Sequence, residues 1–391
     1  MADDDGFRAR AREWLAEKAG EEYRGVGGGP GSEHEGLPAR RRWERELGRA
    51  GWIGIGWGEE GYGNRTATLA QQVVWAEEYA RARAPARVGH IGENLLAPTL
   101  LRHGTRAQKD RFLPPVARGE ELWCQGYSEP GAGSDLAAIR TAAVRDGRAY
   151  RLTGQKIWTS LAQHADWCFV LARTDPAAAR HRGLSLLLVP MDQPGRVDVR
   201  PIRQLTGTSE FNEVFFDGAL ARADHLVGGE GDGWRVALGL LARERGVATL
   251  VQQIGFEREL ADVVRTAHAT GAIDDPLLRA RLVTQWAELR VMRWNALRTL
   301  GAGDESDAGA PSVAKLLWGG WHQRLGELAM AVRGAAATAG PYDWSGERPY
   351  ALDAAQRMFL FTRADTVYGG ADEIQRDIIA ERVLGLPREP R

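Results

Sequence analysis

Two stretches of this 391-residue sequence place chemically capable groups in surroundings that would sharpen them. In "VYGGADEIQRDIIAERVLGL" (367–386), Gly369 and Gly370 precede a helix-start signal. Asp372 and Gln375 have capping-box spacing, and Ile374, Ile378, Ile379 and Val383 recur along one helical face. A glycine pair leading into a helix N-terminus exposes backbone N–H groups that can receive an anion or an activated carbonyl. The glycines bring no side chain, so any acid–base work must come from elsewhere. Steps of three and four residues from Glu244 reach Ala237, Leu240, Leu241, Val247, Ala248 and Val251, with Arg243 and Arg245 to either side. A lone carboxylate on such a stripe is expected to have a raised pKa, because desolvation disfavours its charged form, and that suits a general base. A buried ion pair with an arginine is the other reading of the same spacing.

Two further motifs offer donors and a flat surface. In "SEPGAGSD" (128–135), Gly131 and Gly133 let backbone approach a planar cofactor or a thioester, and Ser128 and Ser134 offer hydroxyls; an ordinary polar loop has the same composition. "KIWTS" (156–160) holds Trp158 and Ser160, which also read as a core tryptophan and a strand-end serine in a chain with fourteen Trp. Gly56, Gly58 and Gly61 satisfy G-x-G-x-x-G, but only "WIGI" precedes them as a strand candidate. Glu77 and Glu78 fall inside a helical pattern, so a turn-rich connection is expected there instead of a dinucleotide site.

The elements that must position these groups change period along the chain. Residues 1–122 read as helices, with Leu69, Val73, Ala76 and Tyr79 at helical spacing and Pro114 and Pro115 interrupting the pattern later. From 123 to 231 the period becomes strand-like. Asp146-Gly147 separates "TAAV" from "AYRLT" as a hairpin turn, and "WCFVLART", "LSLLLV", "VDVRPI" and "EVFF" follow as short strands. Helical patterns return over 232–391. The expected fold class is therefore α+β, an antiparallel β domain between helical domains.

Charge is balanced, 51 basic against 52 acidic residues, which argues against nucleic acid or acidic lipid as the main partner. The longest apolar run, "LSLLLVPM" (184–191), is too short to span a membrane, and the N-terminus lacks a signal-peptide pattern; a cytoplasmic protein is expected. Cys124 and Cys168 in apolar surroundings indicate neither a disulfide framework nor a metal site.

"WCQGYSEPGAGSDLA" (123–137), "LTGQKIWTS" (152–160), "GEGDGWRVALGLLARER" (229–245) and "YGGADEIQRDIIAERVLGLPR" (368–388), in this order, resemble the acyl-CoA dehydrogenase family of flavoproteins. The resemblance implies an N-terminal α domain, a middle β domain and a C-terminal four-helix bundle, with FAD between them. It implies α,β-dehydrogenation of an acyl thioester, from acyl-CoA or a carrier protein, to the trans-2-enoyl thioester. It also implies an electron acceptor such as an electron-transfer flavoprotein. Carried onto these motifs, Ser128 donates to the flavin pyrimidine edge, Trp158 packs on the isoalloxazine and Ser160 bonds flavin N5, while Gly370 lies at the cofactor. Ser134 and Arg245 are on the substrate side. Many members have glutamate where this chain has Gly369; a second group carries the base in a Glu-Arg pair on the helix opening the C-terminal domain, here Glu244-Arg245. On that reading Glu244 is the base and the Gly369 N–H donates to the thioester oxygen.

Departures from the family pattern bear on assembly. The Arg-x-x-Phe-Gly motif is missing between 256 and 300, "AVRGAAATAG" (331–340) replaces Gln-x-x-Gly-Gly-x-Gly, and Ala371 stands where Thr is common. Arg279 is a substitute for the missing arginine or an exposed helix residue. A homodimer, a homotetramer or a mixed oligomer fits the resemblance. An oxygen-using oxidase or monooxygenase and a non-catalytic partner subunit are the competing functions on the same fold.

Overall fold

The computed structural model describes residues 2–23, 26, 35–58, 61–243, 247–301, 309–340 and 351–387. They belong to two compact units, one containing Ser32–Glu244 with the N-terminal helix and the other Arg245–Arg391.

The first unit opens with helices α1 (Ala2–Lys18), α2 (Leu37–Arg49), α3 (Leu69–Arg81), α4 (Ala97–His103) and α5 (Arg106–Ala117). Thr68 with Gln71 and Thr105 with Gln108 form capping boxes that start α3 and α5. The interruption expected at Pro114 and Pro115 does not occur, since α5 runs through both to Ala117. Their carbonyls still accept, from Arg118 N at 3.0 Å and Glu120 N at 2.9 Å, so the prolines serve as acceptors in the closing turn. The glycine-rich stretch near 56 is a turn-rich connection, with Gly56, Gly58 and Gly61 at φ 78°, 104° and 72°. Glu78 is committed to Arg8, Arg12 and Arg81.

Eight strands follow: β1 (Trp123–Gly126), β2 (Ala142–Asp146), β3 (Ala149–Ser160), β4 (Trp167–Arg173), β5 (Leu184–Pro190), β6 (Val197–Ile202), β7 (Phe211–Arg222) and β8 (Leu226–Val227). The sheet runs β6-β7-β3-β2-β4-β5-β8, with β1 added beside β4. The β2–β3 hairpin turns at Asp146-Gly147 as its composition requires. Pairing is antiparallel except that β1 and β2 each meet β4 in parallel. The continuous apolar runs of β4 and β5 reflect burial on both faces. Phe169, Leu171, Leu184, Leu186 and Leu188 pack with Leu100, Phe112 and Val116 of the helices. Cys168, Val170, Leu187 and Val189 alternate into a second core with Leu152, Val214 and Phe216. Cys124 and Cys168 are free, buried and opposite each other on adjacent strands. Helix α6 (Gly233–Arg243) joins the helix-side core through Val236 and Ala237. A Cβ on Gly233 would meet the Ser185 backbone at 2.6 Å, so glycine permits this close approach.

The second unit is helical: α7 (Val247–Thr270), α8 (Pro276–Gly301), α9 (Ala310–Ala331), α10 (Ala354–Phe361) and α11 (Asp372–Ile378). Phe256 and Leu260 of α7, Leu289 of α8, Trp321 and Leu325 of α9 and Met358 of α10 share one core. Among the described residues no helix is long and apolar enough to cross a membrane.

Candidate active site

Strand β3 carries Trp158 on a defect. Lys156 pairs with Val214 and Thr159 with Asn212, so Ile157 and Trp158 together oppose Glu213, a β-bulge. Trp158 sits at φ 60°, a left-handed conformation that costs a bulky residue roughly 1–2 kcal/mol. Such strain persists only when the surroundings fix it. Here the Ile157 N–H donates to the Ser128 carbonyl at 3.0 Å, and the Asn212 amide donates to the Thr159 carbonyl at 2.9 Å. The indole is turned outward, 55% exposed, with Phe211 edge-on at 6.2 Å. The bulge brings Trp158, half-buried Ser160 and half-buried Ser128 into one neighbourhood at the end of the strand.

The serine-glycine loop is anchored beneath that neighbourhood by a buried ion pair. Lys156 is fully buried, and its Nζ donates to the Tyr127 carbonyl at 3.0 Å and to Glu129 Oε1 at 2.8 Å. Glu129 also accepts from the amides of Arg140 at 2.6 Å and Thr141 at 2.9 Å, and its backbone exchanges two hydrogen bonds with Ala132. Burial lowers the Lys156 pKa to about 8 against the pull of Glu129. Burial pushes the Glu129 carboxyl upward, and the Lys156 charge with the surrounding donors outweighs it, leaving that pKa below the usual value. At neutral pH the pair is charged. Ser134 lies exposed farther along the loop, beside Asp135, which is paired with Arg180.

Lys156 and Glu129 were not among the expected site residues, though a signal existed. Tyr150, Leu152 and Lys156 share one face of the strand at period two, and the first two face the core. A lysine at the next inward positions needs a buried partner.

In the second unit Gly369 and Gly370 adopt φ 65° and 90°, the left-handed turn their glycine identity allows. The expected capping box does not form: Ala371 is the N-cap and Asp372 the first helical residue. Gln375 N donates to the Ala371 carbonyl, and its side chain reaches toward the Gly370 carbonyl at 3.3 Å. The reason is the turn itself, which draws the Asp372 N–H to the Thr366 carbonyl at 3.0 Å. Lys315 of α9 lies against Gly369, its Cε 3.6 Å from where a Cβ would stand. Arg279 is exposed and donates to the Ile273 carbonyl. Glu244 and Arg245 lie outside the described residues, between the end of α6 at Arg243 and the start of α7 at Val247.

The chain is an α+β scaffold in which a bulged strand presents a strained, exposed tryptophan above a pinned serine-glycine loop, with helices on either side in sequence. Three family models match in chain order: acyl-CoA dehydrogenase N-terminal domain over residues 2–120, middle domain over 124–219 and C-terminal domain over 231–384. The chain is 54% identical to acyl-CoA dehydrogenase IpdE1 of Mycobacterium tuberculosis, over 100% of both chains. Among solved structures, a "Tcur3481-Tcur3483 steroid ACAD" superposes with TM-score 0.85 at 30% identity, covering 100% of this chain and 99% of that one. The ChsE4-ChsE5 complex from Mycobacterium tuberculosis gives TM-score 0.80 at 29% identity, over 99% and 98%. The chain belongs to the acyl-CoA dehydrogenase family. Its reaction is acyl-CoA dehydrogenation, and the family is flavin-dependent.

Proposed function

We propose that this chain binds FAD through Trp158, Ser160, Ser128 and Gly370 and dehydrogenates a ring-bearing acyl-CoA, with Glu244 as base and Gly369 as oxyanion donor. The observation that carries the cofactor assignment is the left-handed Trp158 on its bulge, a costly way to turn an aromatic face outward unless a planar ring packs on it. The same bulge directs Ser128 and Ser160 to that neighbourhood, so donors and stacking surface fit a flavin together. When bound, FAD supplies the two-electron acceptor for the Cβ–H bond that breaks. Glu244 takes the α-proton; as charge builds on the thioester oxygen, the Gly369 N–H donates to it. Ser134 and Arg245 hold the thioester arm, which a carrier protein would present as CoA does.

The ring-bearing substrate rests on two supports: the absence of a side chain at Gly369, and the name of the steroid enzyme that this fold matches. Assembly with a second chain type is supported by the altered adenine-end motifs and by two matched solved structures that are paired proteins by name. An electron-transfer flavoprotein is the expected acceptor, and the domains divide at 1–122, 123–231 and 232–391.

The test is anaerobic. FAD-loaded protein is mixed with straight, branched and ring-bearing acyl-CoAs and the flavin absorbance followed. Loss of absorbance with ring-bearing substrates supports the reading. A preference for unbranched long chains removes the substrate assignment, and no response to any acyl-CoA removes the catalytic one.

A further inference from the structure

One face of α9 is given over to the turn that carries Gly369. Lys315, Trp318, Gly319, His322 and Gln323 follow helical spacing, and each touches the segment 363–369. The centre of these contacts is Asp365, fully buried. Its Oδ2 bonds His322 Nδ1 at 2.7 Å, its Oδ1 accepts from the Tyr368 hydroxyl at 2.5 Å, and its carbonyl accepts from Lys315 Nζ. The other imidazole nitrogen, Nε2, meets Glu259 Oε2 of α7 at 2.8 Å. Gly319 lets the helix approach, since a Cβ there would stand 3.1 Å from the Asp365 carbonyl.

We propose that Asp365, clamped by His322 and Lys315, is the positioning residue that sets the Gly369–Gly370 turn for the reaction, with Glu259 holding His322 in place. The proposal rests on the oxyanion role given to Gly369 above. Tyr368 is the link: it immediately precedes Gly369, and its hydroxyl is held by Asp365. The Lys315 ammonium lies over the Trp318 ring at 4.3 Å and the Tyr368 ring at 5.6 Å, so the cation grips the same turn from its aromatic side.

The charge state of the clamp follows from its partners. An imidazole with a carboxylate oxygen at each nitrogen satisfies both only by donating from both, which makes it an imidazolium. Burial works against that charge, and Glu259 and Asp365 together outweigh it, raising the His322 pKa to about 9. The other groups facing the clamp on the turn side are the Lys315 ammonium and the neutral Tyr368 hydroxyl. Arg324 is committed to Glu288 of α8, and Arg363 to Glu327. As pH rises through about 9 the ring keeps one N–H for two carboxylates, and the turn loses one of its restraints.

The experiment compares FAD-loaded assembled protein and its His322→Gln and Glu259→Gln variants, using a reactive acyl-CoA, across pH 6 to 10. A positioning role lowers kcat of His322→Gln about ten- to a hundredfold with KM little changed, since a small misplacement of a reacting geometry costs on that order. In the unaltered protein kcat falls on the alkaline side near the His322 value. In Glu259→Gln that limb moves to lower pH, because a group raising the pKa is gone; in His322→Gln it disappears. Amide exchange over 365–371, read without cofactor or substrate, speeds up in His322→Gln. Unchanged kcat, pH profile and exchange, with only a lower melting temperature, would overturn the proposal and leave an ion network that merely steadies the bundle. Should His322→Gln fail to fold, the movement or constancy of the limb in Glu259→Gln decides. If no acyl-CoA reacts with unaltered protein, the Gly369 reading falls, while exchange still decides whether the clamp holds the turn.

Discussion

At Trp158 the backbone strain and the proposed stacking on FAD can be separated by one substitution. Glycine takes up φ 60° without the Cβ clash, so Trp158→Gly should leave the apoprotein's melting temperature unchanged or raise it, by an effect of about 1 kcal/mol in stability. The same change removes the stacking face, and FAD affinity should fall about tenfold, within the range expected of aromatic stacking. Calorimetry on apoprotein and a fluorescence titration of FAD separate the two effects. A variant that melts lower and binds FAD normally would show the bulge to be structural. Glu244→Gln asks a different question, because it keeps size and hydrogen bonding and removes the carboxylate proposed as base. FAD should stay bound while the rate of flavin absorbance loss drops about a hundred- to ten-thousandfold in stopped flow.

At the scale of the element, β3 and the loop 128–135 act together through Lys156 and Glu129. Lys156→Met leaves a buried carboxylate without its cation and should destabilise the first unit by about 3–5 kcal/mol in urea melts. Adding Glu129→Gln should restore part of that loss, because the uncompensated charge is then gone. The pH dependence has two arms with definite signs. Glu129 is held below its ordinary pKa, so its contribution is full above the unfolded value and is lost as pH falls through the folded one. Lys156 titrates at about 8 folded against 10.5 unfolded, so the unfolded chain holds more protons between those values and stability rises with pH there. In Lys156→Met the alkaline arm should vanish and the acid loss shrink or reverse, because protonating Glu129 then removes an uncompensated buried charge.

Across the whole molecule, α8 keeps an apolar stripe in solvent. Val283, Trp286, Trp294 and Leu297 fall on one side of the helix and are 59%, 54%, 65% and 48% exposed. Two large aromatics on one exposed stripe are more than scattered surface apolar residues require, and they suit a chain that works in an oligomer. Trp286→Glu with Trp294→Glu should lower the assembled mass in analytical ultracentrifugation while leaving helical circular dichroism intact. Unchanged mass would place the subunit contact elsewhere.

Much of this was legible in the sequence because it is local or periodic. Strand alternation, the Asp146-Gly147 turn and the apolar runs of β4 and β5 report the sheet directly, and four ordered motifs sufficed to identify the family. Glycine at 369 and 370 fixed the left-handed turn, since only glycine adopts it freely. Other features depended on partners distant in the chain, for which no spacing rule exists. Lys156 of β3 meets Glu129 of the loop after β1, and Asp365 meets Lys315 and His322 of α9. Local signals could also mislead. Asp372 and Gln375 have capping-box spacing, yet the turn before them takes the Asp372 N–H, and Pro114 and Pro115 sit within a helix that continues past them. Trp158 is the clearest division: sequence supplied the indole, but its outward aim comes from a register shift between β3 and β7, which only the folded sheet can impose.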